Sequence, residues 1–378
     1  MFPVFKGSPH DIGVQQGEHY RDLLHEATVR ITKAATFRAA KPWYLPTPLF
    51  YYLAKSRASK LLRDDVYTYY PERAEQLEGV AKGAGVDLST ALFFMYLELA
   101  GVGETRFRVD ACTAIGFKPE ATECGEVVIV KNMDFYNDYA FMLTARKTVP
   151  DDGYSVYGNT AASYPGMIDG MNEHGLSVTY NLAYTTEKPT HYTPLSLAIQ
   201  ETLQSCKTTE EAVEHITRAK RGGDALLMIG DAEGTLRTVE ISSTESALRE
   251  PQGSVLVNTN HYHTEKMRKT EVPRDAVHPE DAAPELRGKP VHLSSLTRWN
   301  RVNELLAEDV KFSEEHIHRI MSDHGADAEP SRLTICRHHD LTSTLYTMVY
   351  YPERRTIKVL YGNPCQNELS EMVFSETG

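Results

Sequence analysis

The order of helical and strand-like segments constrains the fold of this chain more than any other feature. Residues 1–110 carry apolar side chains mostly at helical spacing, whereas beyond residue 110 short apolar runs are separated by Gly and Asn turns. The later predicted segments are helices at 195–205, 209–220, 296–307 and 313–321 and strands at 333–337, 343–351 and 356–361. Blocks of strands do not form the β-α-β alternation of a parallel sheet, so the sequence predicts an α+β fold with layered antiparallel sheets.

The charge balance excludes several classes of partner. The chain has 40 Lys and Arg against 52 Asp and Glu, a net charge of -12. Nucleic acid and anionic lipid both need clustered basic side chains, so we expect neither as a partner. No apolar run approaches the roughly 18 residues of a membrane span, and the start lacks the pattern of a signal peptide. We therefore expect a cytoplasmic protein with no membrane partner, whose oligomeric state the sequence leaves open.

Motifs for nucleotide binding, for a serine hydrolase and for a zinc protease are absent from the sequence. There is no Gly-rich phosphate loop, no Gly-x-Ser-x-Gly elbow and no His-Glu-x-x-His helix. We predict that the protein uses no cofactor and no metal ion. A His-dependent metallohydrolase is kept as an alternative, because histidines cluster along the chain. These histidines are His261 with His263, His316 with His318, His324, and His338 with His339 beside Asp340.

Residues 42–52 form a second apolar feature, with three prolines and several aromatic side chains. We expect a packed, proline-rich loop here. The alternative interpretation is an apolar lip over a pocket.

The five cysteines show no Cys-x-x-Cys spacing, so neither a zinc ribbon nor a disulfide framework is indicated. Four of them are interpreted as packing residues or bystanders, namely Cys124, Cys206, Cys336 and Cys365. Cys112 differs, because it lies where the helical part gives way to strands. Breakage of the bond that precedes it would make it a new N-terminus. By position alone, a buried and inert cysteine is still the better interpretation.

The motifs around Cys112 resemble those of a known family. Asp110-Ala111-Cys112-Thr113 and Lys131-Asn132-Met133-Asp134 resemble the acyl-coenzyme A:6-aminopenicillanic acid (isopenicillin N) acyltransferase family. This family belongs to the cysteine N-terminal-nucleophile hydrolases and is related to the choloylglycine hydrolases. Further motifs resembling it in order are residues 7–13 with Gly17, 322–324, 335–338 and 362–365.

The resemblance implies a four-layered αββα fold with two antiparallel sheets. It also implies that Cys112 is a nucleophile freed by self-cleavage between Ala111 and Cys112. Residues 1–111 would then stay bound as a small helical chain, residues 112–378 would form the catalytic chain, and both would share one globular domain. Relatives carry Gly before the nucleophile, whereas Ala111 stands here.

The resemblance also assigns roles to five other residues. Lys131 and Asp134 would lie beside the nucleophile. On chemical grounds, Asp134 could hold the ammonium or the thiol in place, and Lys131 could fix Asp134. The backbone N–H of Asn181 and the side chain of Asn260 would form an oxyanion hole, and Arg298 would line the site. Asn258 competes with Asn260, since residues two apart on a strand share a face. The bile-salt relatives carry Arg-x-x-Asp where this chain has Lys-x-x-Asp. The planar guanidinium of Arg is thus replaced by the compact ammonium group of Lys.

The chemistry of an N-terminal cysteine supports this interpretation. Its thiol can attack an amide carbonyl, and its α-amino group, with a reference pKa of about 7.7–8.0, can act as the base. We predict cleavage of a small N-acyl amine or N-acyl amino acid through a thioester on Cys112. Aromatic side chains near the motifs could line an apolar substrate pocket, with core packing as the alternative, namely Phe135, Tyr136, Tyr139, Tyr164 and Tyr180.

Two further functions remain open from the sequence. One is an acyl-coenzyme A-dependent N-acyltransferase of the same family, and the other is an uncleaved, non-catalytic ligand-binding protein. We favour the hydrolase, because the phosphates of coenzyme A need a basic patch and residues 218–221 form the one dense basic run.

Overall fold

The computed structural model describes residues 2–105, 111–307 and 310–373. The helices in these residues are α1 (Pro9–His19), α2 (Arg21–Arg30), α3 (Ala35–Ala40), α4 (Thr47–Tyr69), α5 (Pro71–Ala84), α6 (Leu88–Tyr96), α7 (Leu195–Ser205), α8 (Thr209–Arg218), α9 (Glu265–Arg268), α10 (Leu293–Leu306) and α11 (Glu314–Met321). The strands are β1 (Val4–Gly7), β2 (Ala111–Phe117), β3 (Val128–Tyr136), β4 (Leu143–Pro150), β5 (Val156–Ala161), β6 (Asp169–Asn172), β7 (Ser177–Leu182), β8 (Ala225–Gly230), β9 (Leu236–Ile241), β10 (Ser246–Arg249), β11 (Val255–Asn258), β12 (Thr342–Tyr351), β13 (Thr356–Tyr361) and β14 (Ser370–Val373).

The strands form two sheets. One has eight strands in the order β1-β4-β5-β6-β7-β8-β9-β10, and the other has six in the order β11-β2-β3-β12-β13-β14. Neighbouring strands are antiparallel, apart from β1, which runs parallel to β4. The predicted α+β class with antiparallel sheets is confirmed.

The two sheets stack between helical layers. Alternate side chains of the central strands point inward, so Cys112 and Met133 of one sheet share a buried cluster with Met171 and Met228 of the other. Apolar side chains on the outer face of the eight-stranded sheet pack against α4, α5, α6, α7 and α8. Those on the outer face of the six-stranded sheet pack against α10 and α11. The fold is therefore the predicted four-layered αββα arrangement.

The segment before Cys112 is built into these layers. β1 forms an edge of the eight-stranded sheet by pairing with β4. In α1, the Gln16 side-chain amide donates hydrogen bonds of 2.8 and 2.9 Å to the carbonyl oxygens of Ala162 and Tyr164. Residues on both sides of Cys112 therefore share one hydrophobic core.

Two local predictions are wrong. Residues 333–337 are turns and bends rather than a strand. β12 already pairs with β3 on one edge and β13 on the other, which leaves that segment no free edge beside it. Residues 47–52 are not loop but the first turns of α4, where Pro48 takes a first-turn position that needs no N–H donor. Within the described residues, no helix combines the length and apolarity that a membrane crossing requires.

Candidate active site

Cys112 lies buried between the two sheets. It faces Met133 across the β2–β3 pair, its side chain is 1% exposed, and its Sγ is 3.5 Å from the Met133 sulfur. Burial raises the pKa of the Cys112 thiol to about 11, against the opposing effect of the Lys131 charge. The thiol is therefore protonated at neutral pH in the intact chain, and a nearby base is needed to activate it.

A cavity of about 630 Å³ opens onto Cys112. Its wall is mostly apolar, and its charged members are Arg57, Glu98 and Glu104. The aromatic residues named from the sequence all line it, namely Phe135, Tyr136, Tyr139, Tyr164 and Tyr180. The proline-rich segment also contributes to the wall through Pro42, Tyr44, Leu45 and Phe50. The alternative interpretation of that segment, an apolar lip over a pocket, thus describes its position better than a packed loop does.

Arg298 of α10 holds the backbone of the cysteine. One nitrogen of its guanidinium donates to the Cys112 carbonyl oxygen at 2.5 Å and to the Thr113 hydroxyl at 2.9 Å. The other terminal nitrogen donates to the Asn260 side-chain oxygen at 2.7 Å. Burial lowers the pKa of Arg298 to about 10, so the group stays charged at neutral pH. The planar guanidinium of Arg can make these three hydrogen bonds at the same time, which the ammonium group of a Lys could not do.

Asn260 contacts the nitrogen of the same residue. Its Oδ1 accepts a 3.0 Å hydrogen bond from the Cys112 N–H, and its Nδ2 donates to the Leu182 carbonyl oxygen at 2.7 Å. The Asn260 N–H in turn donates to the Ser295 hydroxyl at 2.8 Å. Asn260 is thus held in place beside the bond that the sequence predicts to break, and its role as an oxyanion donor stays a prediction.

Asn258 points elsewhere. Its Oδ1 accepts hydrogen bonds from the Thr238 hydroxyl, at 3.2 Å, and from Arg249. Of the two competing asparagines, Asn260 is the one whose side chain contacts Cys112, because β11 ends at Asn258 and strand alternation stops there.

Asn181 connects the two sheets. It lies on β7, and its Nδ2 donates to the carbonyl oxygens of Asn258 and Thr259 at 3.3 and 3.1 Å. These bonds hold the segment that leads to Asn260. The predicted use of the Asn181 backbone N–H in an oxyanion hole stays a prediction.

Lys131 pairs with a carboxylate that the sequence did not single out. Its Nζ lies 2.7 Å from both carboxylate oxygens of Asp169 and 2.5 Å from the Tyr180 carbonyl oxygen. Asp169 also accepts the Tyr346 hydroxyl at 2.5 Å. The expectation that Lys131 fixes Asp134 is wrong. An acidic residue between apolar neighbours at 167–171 is the signal that could have identified Asp169.

Asp134 lies on the opposite face of β3, because residues three apart on a strand point to opposite sides. Its Oδ1 accepts the Thr344 hydroxyl at 2.7 Å, and its Oδ2 is 3.7 Å from Nε of Arg337. Burial raises the pKa of Asp134, with the charges of Arg337 and Arg298 opposing that rise. The Asp134 side chain therefore lies on the α10 side of the six-stranded sheet, whereas the Lys131 side chain lies between the two sheets. Their predicted roles beside the nucleophile stay predictions.

The predicted cleavage site is described in part. The backbone of Ala111 pairs with Asp134 in the β2–β3 ladder. Asp110, the first residue of the motif, lies outside the described residues. Cleavage between Ala111 and Cys112 stays a prediction.

The histidines named from the sequence are dispersed. His261 and His263 have ring centroids 4.5 Å apart, and burial lowers the pKa of both. His316 accepts the Ser313 N–H as part of the capping box of α11. Within the described part of the chain, the group able to hold a metal ion comprises His324, Cys336, His338 and Cys365, which lie outside the wall of the cavity.

Two stacked sheets between helical layers, with a buried cysteine at the start of a central strand, define the N-terminal-nucleophile hydrolase fold. The particular family follows from the sequence. Residues 121–366 match the family described as acyl-coenzyme A:6-aminopenicillanic acid acyl-transferase. Because this match covers more than half of the chain, the chain belongs to that family, as predicted. The chemistry of the family forms or breaks amide bonds, so the protein is an enzyme of amide-bond chemistry.

Solved structures similar to this chain have low sequence identity to it. One is the Caenorhabditis elegans N-acylethanolamine-hydrolyzing acid amidase ortholog, with a TM-score of 0.43, 16% identity and coverage of 64% of this chain and 93% of that chain. Another is a variant of the conjugated bile acid hydrolase from Clostridium perfringens, with a TM-score of 0.45, 17% identity and coverage of 70% and 98%. A third is penicillin V acylase from Agrobacterium tumefaciens, with a TM-score of 0.44, 14% identity and coverage of 70% and 87%. No curated protein matches the chain.

Proposed function

We propose that this enzyme is a self-processing cysteine amidohydrolase that cleaves N-acyl amines through a thioester on Cys112. The observation that carries the proposal is the position of Cys112. Its thiol lines the large cavity, while Asn260 contacts its N–H and Arg298 contacts its carbonyl oxygen. Nucleophilic catalysis by cysteine needs such a fixed geometry around the attacking atom.

The first step of the proposal is self-cleavage. The Cys112 sulfur attacks the carbonyl carbon of Ala111, the peptide C–N bond breaks, and the freed nitrogen takes up a proton to become an α-amine. Water then hydrolyses the thioester, which releases the Ala111 carboxylate and restores the thiol. Arg298 and Asn260 hold both sides of Cys112 during these steps.

The second step is turnover of the substrate. The new α-amine takes the proton from the Cys112 thiol, and the thiolate attacks the substrate amide to form a thioester. The amide C–N bond breaks as the leaving amine takes the proton from the α-ammonium. Water then releases the acyl group as a carboxylic acid. In this proposal Asn260 and the Asn181 N–H stabilise the oxyanion, and one such donor typically contributes about 3–4 kcal/mol.

The cavity supports a substrate with a bulky apolar group. Apolar and aromatic side chains form most of its wall, and both carboxyl oxygens of Glu98 in that wall accept hydrogen bonds from Ser196 at the start of α7. A volume of about 630 Å³ lies within the range typical of ligand sites. The proposed substrate is therefore an N-acyl amine or N-acyl amino acid whose apolar part fills this cavity, with Phe135, Tyr136, Tyr164 and Tyr180 as contacts.

Residues 1–111 are proposed to remain bound as a second chain after cleavage. The edge strand β1 pairs with β4, and α4, α5 and α6 share a buried cluster with the eight-stranded sheet. Cutting one peptide bond removes none of these contacts.

Acyl transfer from coenzyme A is a second candidate, favoured by the enzyme after which the family is named. The distribution of charge argues against it. Among the described residues of the cavity wall, Arg57 is the one basic side chain. In the basic run at 218–221, Arg218 pairs with Glu214, and Arg221 donates to the carbonyl oxygens of Ser242 and Glu245. Arg221 is thus engaged in holding the fold, and the charge of Arg218 is partly offset by Glu214.

Self-cleavage is tested by intact mass and N-terminal sequencing of the purified protein. We expect two chains, the larger beginning Cys-Thr-Ala-Ile, and we expect Cys112→Ala to stay as one species of 42.5 kDa without activity. Cys206→Ala, which changes another buried cysteine, is the matched control and should be cleaved like the wild type. An intact and inert wild-type protein would contradict the proposal, and if it still bound N-acyl amines it would be a ligand-binding protein.

The substrate class is tested with a panel of N-acyl amines that differ in acyl length, by measuring release of the primary amine. We expect kcat/KM to rise as the acyl group lengthens and fills the cavity. Adding acyl-coenzyme A and an amine acceptor distinguishes transfer from hydrolysis. Equal rates for acetyl and long-chain amides would contradict the assignment of the cavity. Activity that survives Cys112→Ala but is abolished by a chelator would indicate a metallohydrolase instead.

A further inference from the structure

A second group of reactive side chains lies outside the cavity. One ligand atom each from His324, Cys336, His338 and Cys365 can be chosen so that all four lie within 4.8 Å of one another. We call these residues the Cys2His2 cluster. Three separate parts of the chain supply them: the segment just after α11, the irregular segment before β12, and the segment after β13.

The distances in the cluster fit a tetrahedral metal site. The Nε2 atom of His338 lies 3.4 Å from the Cys336 sulfur and 3.2 Å from the Cys365 sulfur. Zinc–sulfur bonds of about 2.3 Å and zinc–nitrogen bonds of about 2.0–2.1 Å give sulfur–nitrogen separations of about 3.6 Å in a tetrahedron. Shifts of a few tenths of an ångström would bring these atoms to that geometry.

An unsatisfied nitrogen provides an independent observation. Nε2 of His324 is buried and has no hydrogen-bond partner among the described residues. The His324 and His338 rings meet edge to face, with centroids 5.1 Å apart. A buried ring nitrogen usually has a partner, and a metal ion bound by the cluster would supply one.

We propose that His324, Cys336, His338 and Cys365 bind one zinc ion in a structural site. Two thiolates with two imidazoles are a ligand set typical of tetrahedral structural zinc sites. All four tetrahedral positions come from the protein, which leaves none for a substrate or a water molecule. This site thus differs from that of a metallohydrolase, and it departs from the sequence-based prediction of no metal.

The zinc site would support the active-site region through Arg337, which lies between two of its ligands. Nε of Arg337 is 3.7 Å from the Asp134 carboxylate. The Arg337 N–H donates to the Thr344 hydroxyl at 2.9 Å, and that hydroxyl donates to Asp134 at 2.7 Å. Zinc binding would fix the turn that carries Arg337, so metal loss should disturb the surroundings of Asp134.

The metal content of the purified full-length chain tests the proposal. The protein is produced without a histidine tag, kept reduced and dialysed against metal-free buffer before elemental analysis. We expect about one zinc ion per chain in the wild type. Cys112→Ala should retain the same amount, which separates this proposal from the proposed function. Cys365→Ser should lose zinc. Removing a group that hydrogen-bonds to a metal ligand usually weakens metal binding by roughly 10- to 100-fold, and removing the ligand itself should weaken it more.

Cys124→Ser is the matched control, because Cys124 is also exposed and free but lies outside the cluster. It should keep its zinc. Cobalt substitution gives a second readout, since thiolate coordination should produce absorption bands in the wild type that are changed in Cys365→Ser. Three outcomes would overturn the proposal: wild-type protein with no bound zinc and no cobalt bands, zinc retained equally by Cys365→Ser, or a disulfide between Cys336 and Cys365 in the freshly purified protein.

Discussion

Lys131 and Asp169 form an ion pair that is entirely buried, with both side chains 0% exposed. Two buried charges must lose their hydration, so such a pair contributes little net stability, but the loss of one partner leaves the other unpaired. Here Asp169 also accepts the Tyr180 N–H at 2.8 Å, and Lys131 donates to the Tyr180 carbonyl. The pair therefore fixes β7 opposite the strand that carries Cys112.

We expect Lys131→Met to lower the free energy of unfolding by about 3–5 kcal/mol, because it leaves the Asp169 carboxylate buried without a counter-charge. Denaturant unfolding measures the change. The double substitution Lys131→Met with Asp169→Asn should recover part of the loss, since it removes the unpaired charge.

A surface pair provides the control for this prediction. Lys266 and Glu245 are 56% and 45% exposed, and Lys266→Met should cost less than about 1 kcal/mol. If Lys131→Met were equally mild, the buried pair would not have the structural role assigned to it.

At the scale of elements, α1 and α5 cross at unusually close range. A Cβ atom added to Gly13 would lie 2.0 Å from the carbonyl oxygen of Gln76, and one added to Gly17 would lie 2.3 Å from that of Val80. Gly79 on α5 is equally close to α1. The glycines near the start of the sequence thus have a packing role, because only a residue without a side chain allows the two backbones to meet.

We expect Gly13→Ala to lower the free energy of unfolding by about 1–3 kcal/mol or more, because the helices must separate to admit the methyl group. Thermal or denaturant unfolding measures it. Glu18→Ala, an exposed change on the same helix, is the control and should leave stability nearly unchanged. A neutral Gly13→Ala would mean that the helices can move apart without cost.

The elements also show what could be predicted from the sequence. Hydrophobic periodicity identifies α7 and α8, and β12 and β13 were likewise predicted. In the structure, Thr208 and Glu211 form a capping box at the start of α8. The segment 333–337 has the composition of a strand, but whether a strand forms depends on a free sheet edge, which local sequence does not reveal.

The site residues that belong to recognisable sequence motifs could be predicted. Cys112, Asn260 and Arg298 were named from the sequence, and the structure brings them into contact. The Lys131–Asp169 pair joins different sheets, so its partner could be identified only from the fold.

At the scale of the whole molecule, buried carboxyl groups should make stability depend on pH. Burial raises the pKa of Glu98 to about 7, and burial likewise raises the pKa of Glu201 and Glu271 to about 7. In the unfolded chain these carboxyl groups have the ordinary Glu pKa of about 4.3, so they release their protons at a lower pH than in the folded chain. The folded state therefore holds more protons in this interval, and its stability falls as the pH rises from about 4.5 to 7.

We expect Glu98→Gln to reduce this fall in stability, by on the order of 3 kcal/mol, because one of the contributing groups no longer titrates. Denaturant unfolding at about pH 5 and pH 7.5 measures the slope in both proteins. Glu18→Gln, at an exposed position, is the control and should keep the wild-type slope. Equal slopes for wild type and Glu98→Gln would show that Glu98 is ionised in the folded protein.

The position of β1 has a consequence for assembly. This strand precedes Cys112 in the chain, yet it completes an edge of the eight-stranded sheet. Once the proposed cleavage has occurred, an unfolded molecule consists of two separate polypeptides that must find each other in solution. Refolding then becomes a bimolecular reaction, and the melting temperature depends on protein concentration. In the proposed reaction the fold forms before the cut, because the groups that contact Cys112 come together only in the folded chain.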